Sequence, residues 1–354
     1  MAIQVASGQY TPRIIATTLL RDNVIRYTVG LFVFTFLFSI RVLNHLEQTV
    51  PEFVMFVLGM LSLTSLAAFL FLIDYAARLL RPVSLVKRVG DDGLAVIASI
   101  YPDPLTDAPG DSTPSHDAGP VGLTLLHHGS SAVVLAVNVD QLAAAAEKSD
   151  GVIEFAPQVG DFVGTNEPLF HLHGGAGGID EKVLRGCVVF GSERTMEQDP
   201  LFAFRILVDI ANKALSAAIN DPTTAVLAID QIQRLLRRTG GRNLRTDFIA
   251  NRAGKLRMIL RMPDWNDFVK LAFTEIRFYG ASNVQIARRL RAMILNLTGM
   301  LPASRHAALQ SELELLDRAL EKLYTIPEDL ALARIPDTQG LGGSTDITSP
   351  KWAG

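Results

Sequence analysis

Two long apolar runs near the N-terminus constrain this chain more than anything else in it. The first extends over residues 24–43 and carries arginines only near its ends, Arg26 and Arg41. The second covers residues 53–73 without a charged residue. A helix needs roughly 20 predominantly apolar residues to cross the hydrocarbon core of a bilayer. The sequence therefore predicts two transmembrane helices, at 24–43 and 52–74, and makes the lipid bilayer the first expected partner.

Lys and Arg placement sets the expected orientation. Arg13, Arg21 and Arg26 precede or open the first span, and Arg78, Arg81, Lys87 and Arg88 follow the second. Between the spans, residues 44–52 hold Glu47 and Glu52 but no Lys or Arg. Arg41 is near enough to the outer end to snorkel toward headgroups. Both termini and the large C-terminal part are thus expected in the cytoplasm of a bacterial inner-membrane protein, with a small external hairpin. Residues 1–13 lack the basic segment, apolar core and small-residue cleavage site of a secretory signal.

Hydrophobic residues make up 49% of the chain, and the excess is concentrated before residue 80. The net charge of −3 gives no basic field for nucleic acid. Cys187 is the lone cysteine, which excludes an intrachain disulfide framework and a Cys-rich metal knuckle. No cofactor or metal is expected.

The remainder divides by pattern. Residues 78–101 read as a helix leaving the membrane or lying along its surface. Residues 102–120, rich in Pro, Asp, Gly and Ser, read as a flexible loop, so 81–120 forms an exit helix and linker. A Val-rich segment at 131–139 and short apolar segments at 152–156 and 169–173, bounded by Gly and Pro, predict a small barrel-like β module over 121–190. Asp140 is placed as the cap of a short helix at 141–148. The five-residue run of Gly and Ala at 174–178 lacks the Lys-Ser/Thr of a phosphate loop and reads as a connector. From 191 to 335 the pattern is mostly helical, with helices at 201–215, 222–238, 264–278, 283–298 and 302–324 and an isolated strand at 256–260. Residues 336–354 are expected to be disordered.

The densest polar stretch is Gly191-Ser192-Glu193-Arg194-Thr195-Met196-Glu197-Gln198-Asp199-Pro200, followed twenty residues later by Asn220-Asp221-Pro222-Thr223-Thr224. Each ends in Asp-Pro before a helical pattern. Asp199 and Asp221 suit the N-cap, and proline suits the first helical position, where its missing N–H costs nothing. If the two helix starts converge, their free N–H groups could hold an anion, Arg194 could supply a bidentate partner, and Glu193, Glu197 and Asp209 could act as acid–base groups or cation ligands. The structural alternative is two well-capped helices and an Arg–carboxylate network that locks the fold. His171 and His173 share a strand face, but without a thiol or a recognisable carboxylate spacing they read as ordinary histidines rather than metal ligands. Cys187, in an apolar run, reads as a buried small hydrophobe. At the end of the second span, Asp74 and Arg78 are spaced for an interfacial ion pair; a gating role is the alternative. Gly59, Ser62, Ser65 and Ala68 form a small-residue stripe that allows close helix packing.

The polar stretch, together with Leu207-Val208-Asp209-Ile210-Ala211, Ala214-Leu215-Ser216 and Asn220-Asp221-Pro222-Thr223-Thr224-Ala225, resembles the bacterial predicted membrane proteins of domain of unknown function 2254. Ala6-Ser7-Gly8-Gln9-Tyr10-Thr11-Pro12-Arg13 carries the resemblance toward the N-terminus. The resemblance implies a multi-pass membrane protein of undefined activity. It also implies that this chain lacks the two apolar helices that precede residues 6–13 in other members, for which homo-oligomerisation would be a remedy.

The expected fold is a membrane α-helical hairpin followed by a cytoplasmic α+β region, a small β module and then a mostly helical domain. The expected function is an oligomeric assembly that passes or senses a small ion or solute under a cytoplasmic regulatory domain. The alternatives are a membrane-tethered enzyme acting on an anionic substrate through Glu193, Arg194, Glu197 and Asp209, and a structural or partner-binding scaffold.

Overall fold

Asp22 opens the first helix by accepting hydrogen bonds from the backbone N–H of Val24 (2.9 Å) and Ile25 (3.4 Å). The structure, a computed structural model, describes residues 22–44, 52–79, 82–105, 118–244 and 247–343. The N-terminal segment before Asp22, the 45–51 hairpin and the central part of the 102–120 linker, 106–117, lie outside the described residues. The chain divides into two units, residues 1–87 and 88–354.

The first unit is a helix pair, α1 (Asn23–Leu43) and α2 (Glu52–Leu79). At a rise of 1.5 Å per residue they are ~32 and ~42 Å long. Both are long and apolar enough to cross a membrane. They pack antiparallel: the Tyr75 hydroxyl donates to Asp22 (2.7 Å), Phe32 meets Phe69 edge-on (6.3 Å), and the Thr35 and Ser65 hydroxyls share a hydrogen bond (2.9 Å). Thr28, Thr35 and Ser39 donate to the carbonyls of Val24, Leu31 and Thr35, each at 2.8 Å, so no hydroxyl among these three is left to seek water. Of the small-residue stripe, Ser65 and Ala68 are half-buried, whereas Gly59 and Ser62 stay uncovered.

The second unit is a mixed α/β region with mostly helical content. It takes in most of α3 (Pro82–Ile100), then β1 (Val121–Leu126), β2 (Ala132–Val137), α4 (Val139–Lys148), β3 (Gly151–Phe155), β4 (Phe162–Val163), β5 (Pro168–Gly174), α5 (Glu181–Gly186) and β6 (Val188–Gly191). Helices α6 (Pro200–Ala214) and α7 (Pro222–Gly240) follow, then β7 (Phe248–Ala250), β8 (Leu256–Leu260), α8 (Trp265–Gly280), α9 (Val284–Met300), α10 (His306–Leu323) and α11 (Pro327–Ala333).

The strands form two sheets, ordered β1-β5-β3-β8-β7 and β4-β2-β6. All pairings are antiparallel except β3 with β8, which run parallel, with Ile153 opposite Met258. The strand at 256–260 is therefore not isolated: it joins the sheet begun a hundred residues earlier, and its Met258 enters the same core as Ile153, Phe155, Phe170 and Leu172. The helical layer has its own core of Phe204, Leu207, Ile232, Phe268 and Met293, with Tyr101 set edge-on to Phe268 at 6.3 Å.

Local chemistry departs from expectation at three places. Asn138, not Asp140, caps α4 by accepting from Gln141 N–H (3.1 Å), which leaves Asp140 in the first turn, where its charge favours the helix dipole. Residues 175–178 form a 3₁₀ turn with Ala176 fully buried rather than a free connector. A Cβ at Gly151 would sit 2.1 Å from the Ala176 nitrogen, so the turn is seated against β3. The third departure is beyond Pro336, where disorder was expected. Residues 336–343 are instead tied to α9. Buried Asp337 accepts from the N–H groups of Gln339 (3.0 Å), Gly340 (2.9 Å) and Gly342 (2.7 Å). Arg288, 1% exposed, donates to the carbonyls of Ile335 (3.0 Å), Gly342 (3.1 Å) and Gly343 (2.8 Å). These charge-assisted bonds hold a segment whose composition alone suggests a loose tail. Residues 344–354 lie outside the described residues.

Candidate functional site

Asp199 caps α6, with Pro200 at the first helical position and Phe202 N–H donating to the carboxylate at 3.1 Å. Its other oxygen receives Arg194. Asp199 is 4% exposed, and burial pushes its carboxyl above the usual range; Arg194 and the N–H groups of Phe202 and Leu201 pull the other way. The guanidinium lies over the Phe202 ring, 5.6 Å from its centroid, and against Gly160. Gly160 has φ +93°, and a Cβ there would stand 2.6 Å from the Arg194 guanidinium carbon. Both the backbone conformation and the cation demand glycine. The turn between β3 and β4 and the 192–199 segment are thereby interlocked.

Gln198 adds a second tie, its side-chain oxygen accepting from Val137 N–H at the end of β2 (3.0 Å). A cleft beside Gln198, Asp199 and Val137 has a volume of about 40 Å³, room for only a few waters. Thr195 Oγ1 is buried without a hydrogen-bond partner among the described residues. Glu193 and Glu197 are exposed.

Asp209 belongs to a different group. One turn along α6, Arg205 donates to it at 2.9 Å, and Arg205 also reaches Glu275 on α8 at 2.8 Å. Asn212 donates to the same Glu275 oxygen (2.9 Å), while its own carbonyl oxygen is buried without a partner among the described residues. The Arg205 hydrogen bond holds the Glu275 carboxyl below the usual range, and Glu275 in turn raises the guanidinium. Arg205, Glu275 and Asn212 are the residues that sequence reasoning missed. In the sequence Arg205 is marked only by its i, i+4 spacing from Asp209, and nothing local marks Glu275, seventy positions away.

Asn220, Asp221, Thr223 and Thr224 form the turn from α6 into α7. Asn220 adopts φ +48°, a left-handed conformation that asparagine tolerates. Asp221 N–H returns to Ala214 O (2.7 Å), and its carboxylate accepts from the Thr224 N–H (3.0 Å) and hydroxyl (2.6 Å). Thr223 is exposed. Because α7 begins where α6 ends, the two Asp-Pro starts are separated by the length of α6, ~22 Å at 1.5 Å per residue. They do not share one anion site.

His173 is buried and bonded to Gly119 O (3.0 Å) and Glu154 (3.4 Å), and His171 to Thr124 (3.0 Å). No group of three His, Cys, Asp or Glu side chains among the described residues could hold a metal ion. Cys187 is buried, and burial pushes its thiol up. Asp74 is on α2, but the Arg78 side chain lies outside the described residues, so the expected pair does too.

Uncharacterized proteins of Mycobacterium bovis and Mycobacterium tuberculosis are each 27% identical to this chain over 347 residues. The alignment covers 94% of this chain and 66% of each relative, so the chain spans slightly less than two thirds of their length. No solved structure matches it. A family model described as "Predicted membrane protein (DUF2254)" matches residues 1–296, so two apolar helices, the Arg194–Asp199 lock and the α6–α7 turn all fall within the match, and the chain belongs to this family of predicted membrane proteins.

Proposed function

We propose that this is a non-enzymatic integral protein of the bacterial inner membrane that works as a homo-oligomer. Its paired spans pass or sense a small ion, and its α/β region regulates them from the cytoplasm. The observation that carries the reading is the exposure of α1 and α2: Phe36 is 64% and Leu63 61% exposed. A helix apolar on all sides belongs in a lipid or protein environment. Gly59 and Ser62, left uncovered by α1, are small enough for a neighbouring copy to approach closely. The two apolar helices among the described residues cannot enclose a pathway alone, which is why the reading requires several copies. Arginines at 26 and beyond α2, with acids between the spans, support cytoplasmic termini.

The arrangement of the polar residues speaks against a catalytic cleft. Arg194 and Asp209 are engaged in separate ion pairs, and the cleft beside Asp199 is too small for an organic substrate. The test is conductance of the purified chain in planar bilayers, with subunit number measured by native mass spectrometry. Ion flux from an oligomer is the expected result. A confirmed oligomer that conducts nothing at any salt or voltage, and whose subunit contacts respond to no ion, contradicts the reading.

A further inference from the structure

Away from the Arg194 and Arg205 groups, α8 and α10 frame an open cleft of about 390 Å³. That is within the size range of small-ligand sites. Three cations line it: Arg277 from α8, and Arg318 and Lys322 from α10. Phe278, Leu315 and Leu323 supply apolar wall, and Phe278 is 73% exposed. No carboxylate is among the lining residues. Glu312 meets Arg277 at 3.4 Å but is buried, with its carboxyl pushed up by that burial. The Arg277 guanidinium also lies 5.0 Å from the Phe278 ring centroid, which fixes a cation beside the apolar wall.

Arg318 and Lys322 stand one helical turn apart, and among the described residues neither has an ion-pair partner. Like charges at i, i+4 repel on a helix. An anion seated between them removes that repulsion and gains Arg277 as a third donor. The cleft therefore asks for a ligand with an anionic head and an apolar body. We infer that it binds an acidic membrane lipid, whose phosphate meets Arg277, Arg318 and Lys322 and whose acyl chain lies along Phe278 and Leu323. The choice of a lipid over a free amphiphile rests on the membrane anchoring proposed above, since an anchored chain works among acidic lipids.

The test uses the full chain in an uncharged detergent, titrated by native mass spectrometry with phosphatidylglycerol, with phosphatidylcholine of the same acyl chains, and with inorganic phosphate. The expected result is a phosphatidylglycerol preference of about tenfold, in line with a favourable increment for each basic residue near an acidic headgroup. Arg318→Gln with Lys322→Gln should reduce the preference to the phosphatidylcholine level, and Arg318→Lys should keep it. Both positions are exposed, so the thermal melt should not change. Equal binding of the two lipids by the wild type overturns the inference. Selectivity that survives the double substitution also overturns it, by placing the lipid at the spans and leaving anchoring intact. Inorganic phosphate that displaces the lipid at equal concentration overturns it as well, by making the cleft a site for free anions. Failure of the anchoring would show separately, as protein that stays in solution without detergent.

Discussion

The helix pair and the α/β region use apolar residues in opposite ways. In α1 and α2, Phe36, Phe53, Phe56 and Leu63 are each more than 60% exposed, and polar hydroxyls meet at the contact between the helices. In the α/β region, Phe155, Phe204, Leu207 and Ile232 are almost fully buried, and buried charged groups such as Asp199, Arg288 and Asp337 are held by ion pairs or backbone hydrogen bonds. The contrast teaches that the two units need different surroundings. Hydrophobic burial, at roughly 25 cal/mol per Å², stabilises the second unit in water. The first has little to bury within itself and gains the same free energy only from lipid or another chain.

The largest effects should separate the two units cleanly. Phe204→Ala empties space in the helical core and should destabilise the α/β region by about 3–5 kcal/mol, measured by denaturant unfolding. Phe36→Ala should leave that unfolding curve unchanged. An equal loss at both sites would contradict that separation.

The next effect belongs to the helix pair. Leu63→Arg places a charge near the middle of α2 and should cost about 2.5–3.5 kcal/mol of insertion free energy, read as a shift from the membrane to the soluble or degraded fraction. Leu63→Ile should partition like the wild type. Insensitivity to the arginine would place α2 outside the hydrocarbon.

Arg194→Ala leaves the Asp199 carboxylate buried without its cation. The loss should be about 2–3 kcal/mol in the same unfolding assay, because an unpaired buried acceptor retains its desolvation cost. Asp199→Asn, which keeps the cap and a hydrogen bond, should cost less. An unchanged midpoint for Arg194→Ala would remove the lock from the account.

How much of this was legible in the sequence depends on how local the cause is. The two apolar helices and the Asp199–Pro200 and Asp221–Pro222 starts each arise within a few residues, and the pattern carries them. The parallel β3–β8 pair does not, because its partners are separated by about a hundred residues and the hydrophobic run of β8 looks the same whether isolated or central. Arg194 was visible as a polar residue, but its seat against Gly160 depends on a tertiary turn. Composition misread residues 336–343, since Gly-rich chain looks loose unless a buried Arg288 and Asp337 are there to bind its backbone.

The smallest expected effects are in pH dependence. Glu275 is held below the usual carboxylate range, chiefly by its Arg205 hydrogen bond. Its contribution is complete above that range and is lost as pH falls through the lowered value. Glu312 is raised by burial, so its contribution is lost as pH rises from the usual range through the raised value. Glu275→Gln should blunt the acid limb of the stability profile and Glu312→Gln the opposite slope. The Glu275 change should be under about 1 kcal/mol, because that pair is solvent-screened. Urea midpoints across pH for the two variants check the signs, and matching slopes would contradict the assignment.

The proposed residence of α1 and α2 in lipid is open to direct test. Its most direct measurement is fractionation of cells broken without detergent, followed by alkaline extraction of the pellet. The intact chain should sediment with membranes, resist alkaline extraction and be released by detergent. Recovery of the intact, folded chain in the aqueous supernatant would contradict it.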